Sequence, residues 1–132
     1  MRNLGLFPTD RYRTRPLVFL PVPEGTFTAT APLCESGLVR MIRRVLNPSV
    51  AHGWTIQEEF TCDDNNGTFV LQFHARVTAD PAFTYAGPWS IVEGGTGKYA
   101  KSTGHGDFGV VIDREQDPFR GEESFVGFVQ LH

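Results

Sequence analysis

The 132-residue chain reads as an all-β protein, a single antiparallel barrel of about eight strands with little or no helix. Three observations predict this. Apolar and polar residues alternate with period two in at least five segments, as half-buried strands require. Turn residues separate those segments at short, regular spacing, the pattern of a sandwich or barrel. Glycines then crowd the stretch GPWSIVEGGTGKYAKSTGHGDF over 87–108, where they mark the bends that let a sheet close on itself.

Each element follows in order. Residues 1–16 are polar and carry Arg2, Arg11, Arg13 and Arg15; they read as a flexible or wrapping arm, with one barrel domain over 17–132. Residues 17–22 form a first strand, confined to an edge by Pro21 and Pro23. Residues 25–31 alternate Phe27, Ala29 and Ala31 against Thr26, Thr28 and Thr30. Residues 37–46 are ambiguous. Leu38, Arg40 and Ile42 share a strand face, while Leu38, Met41, Ile42, Val45 and Leu46 also sit at helical spacing. Strand is favoured because the neighbours are strands.

Residues 55–62 place Ile56, Glu58, Phe60 and Cys62 on an apolar face. Asp63-Asp64-Asn65-Asn66-Gly67 is a hairpin connection. As a calcium loop it fails, because Thr68 and His74 stand where glycine and glutamate are needed. Residues 68–78 are the clearest strand, with Phe69, Leu71, Phe73, Ala75 and Val77 toward the core. Residues 89–92 are another, with Pro88 as its first position and Gly94-Gly95-Thr96-Gly97 turning the chain after it. Tyr99 is a lone ring among small residues and plugs one end of the core. Residues 107–113 put Phe108, Val110 and Ile112 on one face. The last strand, 122–131, turns Phe125, Gly127, Val129 and Leu131 inward.

Composition excludes several functions. A net charge of −3 is not that of a nucleic-acid binder, and Arg40, Arg43 and Arg44 read as a solvated edge. No apolar run reaches the ~18 residues of a membrane helix, and the run over 17–22, interrupted by Pro21 and followed by Pro23, is short for a signal-peptide core. A cytoplasmic location is the default expectation. Gly95-Thr96-Gly97-Lys98-Tyr99-Ala100 fits a dinucleotide fingerprint only loosely, because no helix-forming sequence follows; Tyr99 also stands where a P-loop needs Ser or Thr. His52, His74, His105 and His132 lack the spacing of metal ligands, so no metal and no cofactor are expected. No G-x-S-x-G elbow exists for a serine nucleophile.

The 89–106 segment, W-S-I-V-E-G-G-T-G-K-Y-A-K-S-T-G-H-G, resembles the late-strand signature of the allene oxide cyclase and dirigent-protein barrels and their small bacterial relatives. Those families share a strand, a G-G-T-G-x-[FY] turn and a glycine-studded strand. Shorter similarities lie at Gly25-Thr26-Phe27-Thr28-Ala29, Cys34-Glu35-Ser36-Gly37 and Thr61-Cys62-Asp63-Asp64. The clear match covers about 20 residues and transfers no catalytic residue. It implies an eight-stranded antiparallel barrel with an apolar cavity. It also implies proximity of Cys34 and Cys62, since the bacterial relatives carry cysteines at these places. A bond there would contribute roughly 3–4 kcal/mol and would point to secretion.

Polar residues on apolar faces are the remaining clue to chemistry. Glu58 lies between Ile56 and Phe60, and Arg40 between Leu38 and Ile42. They either pair with each other or reach water at a barrel mouth. An unpaired buried carboxyl has a raised pKa, suited to acid–base work; an adjacent arginine would hold it ionised. Trp89, Tyr85, Tyr99, Phe60 and Phe73 are the expected apolar wall, with Tyr85 at the rim. His105 and Asp107 share a face that reads as solvent-facing. Two functions follow as expectations. One is a cofactor-free isomerase or cyclase acting on an apolar small molecule, with Glu58 and Arg40 as catalytic residues. The other is a non-catalytic dirigent-like barrel that binds a ligand or a protein, with assembly as a homo-oligomer left open.

Overall fold

The computed structural model describes residues 2–3 and 15–18 by their backbone, and 24–47, 53–115 and 120–132 in full. Most of the proposed arm, and the 19–22 part of the first strand, lie outside these residues. The strands are β1 (Arg2–Asn3), β2 (Arg15–Val18), β3 (Glu24–Thr28), β4 (Ser36–Asn47), β5 (Gly53–Cys62), β6 (Thr68–Val77), β7 (Tyr85–Val92), β8 (Thr103–Asp113) and β9 (Arg120–Gln130). One 3₁₀ turn, Gly97–Tyr99, interrupts them. Every pairing is antiparallel. Consecutive strands pair from β2 to β9, and β9 also reaches back to β2 at Leu17↔Gly121 and to β1 at Asn3↔Phe128. The β9–β2 pairing closes the sheet into a barrel. The ambiguous 37–46 segment is strand, because it pairs with β5 along its length and with β3 as far as Arg40, which satisfies backbone groups that a helix would have to pair internally.

Two details of the alternation differ from expectation. Pro88 is not the first residue of its strand but the fourth of β7, where the ladder to β6 skips from Phe73↔Trp89 to Arg76↔Ala86. A residue without an N–H is tolerated at such a gap. Val77 points along the core face but is 58% exposed, because it lies past the packed interior at the barrel's open end.

The interior divides in two along the barrel axis. One end is solid. Phe60 stacks on Phe69 at 5.0 Å, Phe27 meets Phe60 edge-on at 5.0 Å, and Tyr99 closes over Phe69 at 5.4 Å. Tyr99 is buried, so the lone ring of the glycine turn does plug the barrel. The turn is fastened to the β5–β6 hairpin: the Lys98 amide donates to Asn66 O at 2.8 Å and the Thr96 amide to Thr68 O at 2.9 Å. Gly67 and Gly97 both have positive φ and face each other's backbone, so a side chain at either would push the two loops apart. The disulfide Cys34–Cys62, with Cα atoms 5.9 Å apart, ties the β3–β4 connection to β5 at this same end.

Phe125 sits beneath, ringed by Phe60, Phe73, Trp89 and Phe108 at 5.2–6.2 Å. Trp89 lies flat enough on the sheet to donate its indole N–H to Val126 O at 3.1 Å. Gly106 and Gly127, opposite each other on β8 and β9, make room for it. A Cβ at Gly106 would fall on the Val126 carbonyl and 2.8 Å from Trp89 Nε1. Gly106→Ala should therefore cost about 1–3 kcal/mol by overpacking, read as a lower urea midpoint with an unchanged slope.

Candidate functional site

The other half of the barrel is hollow. A pocket of about 250 Å³ opens there, lined by inward positions of five neighbouring strands and by Glu123 of β9. Its walls are Met41 of β4, Trp54 and Ile56 of β5, Phe73 and Ala75 of β6, Tyr85 of β7, and Phe108, Val110 and Ile112 of β8. Two arginines, Arg44 and Arg114, complete the lining; both are exposed and so define the mouth. Glu123 is 4% exposed and defines the floor.

Glu58 lies behind that floor, fully buried. The inward face of β5 carries it there, between Ile56 and Phe60, as alternation predicts. The two carboxyls interact directly, and both are shifted upward. Burial pushes Glu58 well above the usual carboxylate range, and the nearby Glu123 charge pushes it further. Burial raises Glu123 to about 7, with its interaction with Glu58 acting in the opposite direction. By heavy-atom geometry neither Glu58 oxygen, nor Glu123 Oε1, has a hydrogen-bond partner. Two buried carboxyls facing each other cannot both ionise cheaply; a proton held between them satisfies both. The pair therefore titrates as a unit.

Arg40 is not part of this site. Pairing of β4 with β5 sets Met41 against Glu58 and Arg40 against Glu59. Arg40 accordingly points outward, about half exposed, and approaches Glu59 Oε1 at 3.7 Å. Leu38 and Ile42 share its outer face, at 58% and 43% exposure, while Val39 is the buried neighbour. A shift in the β4–β5 register between Met41 and Arg43 makes Ile42 an extra residue, a bulge. Beyond it Arg44, paired with Ile56, takes the inward direction. Arg40 thus lies outside the pocket, and the arginine that reaches the pocket is one the alternation from Met41 assigns elsewhere.

Of the five expected wall aromatics, Tyr85 and Phe73 line the pocket. Phe60, Trp89 and Tyr99 do not; they belong to the solid end and its junction. Tyr85 is at the rim as expected, where it accepts a hydrogen bond from Arg114 at 3.1 Å. His105 and Asp107 are exposed, and His74 is an outward strand residue bonded to Thr55 at 3.0 Å. Among the described residues no three His, Cys, Asp or Glu side chains converge as metal ligands. Glu123 is the residue that sequence reasoning missed. Counting back by two from Phe125 would have found it, since Gly121, Glu123 and Phe125 share the inward face of β9.

The fold and site define a closed antiparallel barrel with one filled end and one open apolar pocket floored by a carboxyl pair. No protein-family model, curated protein or solved structure matches the chain.

Proposed function

We propose that the barrel binds a small apolar molecule in its open half and moves a proton on it, as a cofactor-free isomerase or cyclase does. The observation that carries this reading is the Glu58–Glu123 pair at the bottom of an apolar pocket. A general acid–base group works best with a pKa near the working pH, and Glu123 lies at about 7. Glu123 lines the pocket and is the group that would touch substrate. Glu58, enclosed behind it, is a positioning residue that holds the proton Glu123 gives up or regains. An isomerisation suits such a pair, because a proton taken from one atom is returned to another and nothing is oxidised. The resemblance of 89–106 to the allene oxide cyclase and dirigent barrels supports the same class.

The test uses a small cyclic enone as a proton-exchange probe. Wild-type protein in D₂O should speed α-deuteration, followed by proton NMR. Glu123→Gln should lower the rate by about 10²–10⁴-fold while the fold persists. Glu58→Gln should shift the pH profile of the rate as well as reduce it. Binding of the enone without acceleration over buffer would leave the non-catalytic, ligand-holding barrel as the function.

A further inference from the structure

We infer that the pocket's ligand is itself an acid: a compact aromatic or alicyclic molecule of on the order of ten non-hydrogen atoms, its anionic group held by Arg44 and Arg114 at the mouth. The inference rests on the pocket reading above and adds the chemistry of the ligand. It starts from the bulge at Ile42. Without that extra residue, strict alternation from Met41 would turn Arg43 and Val45 inward and Arg44 out. With it, Arg44 lines the pocket and its guanidinium lies over the Trp54 ring, 5.2 Å from the centroid. Arg114 arrives from the turn just after β8, two residues after Ile112. Its guanidinium lies 6.0 Å from the Tyr85 centroid and gives one N–H to Tyr85 Oη. A guanidinium has five such donors, so others remain for a ligand.

Both cations are therefore braced against aromatic wall residues of the same pocket. A braced, planar guanidinium is a carboxylate receptor, and less freedom is lost when it binds. The acidic floor and the basic mouth give the pocket a direction. An anion next to Glu123 would be repelled; at the mouth it is attracted from both sides. Size follows from volume. The pocket holds about 250 Å³, below the ~300–1,000 Å³ of sites for drug-sized ligands. At ~30 Å³ per liquid water, with bonded atoms packing closer, that is on the order of ten heavy atoms. A long acyl chain does not fit inside.

The experiment compares cinnamate with cinnamamide, which share shape and heavy-atom count but not charge. Each is titrated into the full chain at pH 7 and low salt, by calorimetry and by the shift of the Trp54 indole N–H. Cinnamate should bind at least tenfold more tightly, with the advantage shrinking as salt is added. Arg44→Gln with Arg114→Gln should bring the two affinities together. Should the double variant not fold, the single variants and the salt series on wild type give the same comparison. Equal affinities in wild type, tighter binding of cinnamamide, or a preference that survives loss of both arginines would overturn the inference but leave the apolar pocket standing. Failure of both compounds to bind at millimolar concentration would overturn the pocket reading as well.

Discussion

Unfolding in urea should require clearly more denaturant at pH 5 than at pH 8. Most proteins lose carboxylate interactions on acidification; here the two carboxyls that matter are stabilised in their protonated form. Glu123 rises from 4.5 to about 7 on folding. Between those values the folded state holds a proton that the unfolded chain has released, so stability falls as pH rises through that window. At ~1.4 kcal/mol per pH unit the loss is about 3 kcal/mol for Glu123 alone. Glu58 is raised in the same direction, so it adds to the fall. Glu58→Gln with Glu123→Gln should flatten the curve, because two amides can bond to each other without titrating. Denaturant midpoints at half-unit pH steps decide this. A wild-type midpoint that stays level or rises from pH 5 to pH 8 would mean that the pair is hydrated or otherwise compensated.

The strands were legible because alternation reports burial directly. β5 and β6 have one clearly apolar face each, and the residues predicted inward, from Ile56 to Cys62 and from Phe69 to Ala75, are buried. β4 was legible as a strand but not in its facing. Leu38 and Ile42 on one side compete with Val39 and Met41 on the other, and a period of two cannot choose between two apolar faces. Pairing chooses: the neighbour of Glu58 must point inward with it, and that neighbour is Met41. Glu123 was hidden by its neighbour Glu122, since consecutive acids read as solvated surface. Nor could the pattern tell pocket from core. Phe60 and Phe73 both point inward; only their height along the barrel makes one a filling residue and the other a wall.

That height also sets the cost of truncation. Phe125→Ala should destabilise the protein by about 3–5 kcal/mol, the usual cost of emptying a large buried aromatic site. Phe125 is completely buried and is the ring shared by both halves of the interior, touching Phe60 on the filled side and Phe73 and Phe108 under the pocket. Four rigid aromatic neighbours on different strands cannot all move in to fill its space, so the cavity persists. Phe128 provides the control on the same strand. It lies three residues on, faces outward and is 47% exposed, so Phe128→Ala should change stability by no more than about 0.5 kcal/mol. Equilibrium urea unfolding of both variants reads the difference. A loss of less than about 1.5 kcal/mol for Phe125→Ala would mean that the interior collapses around the gap. The carboxyl floor would then rest on a deformable layer, and Glu123 would not be held in one place to exchange a proton with a bound molecule.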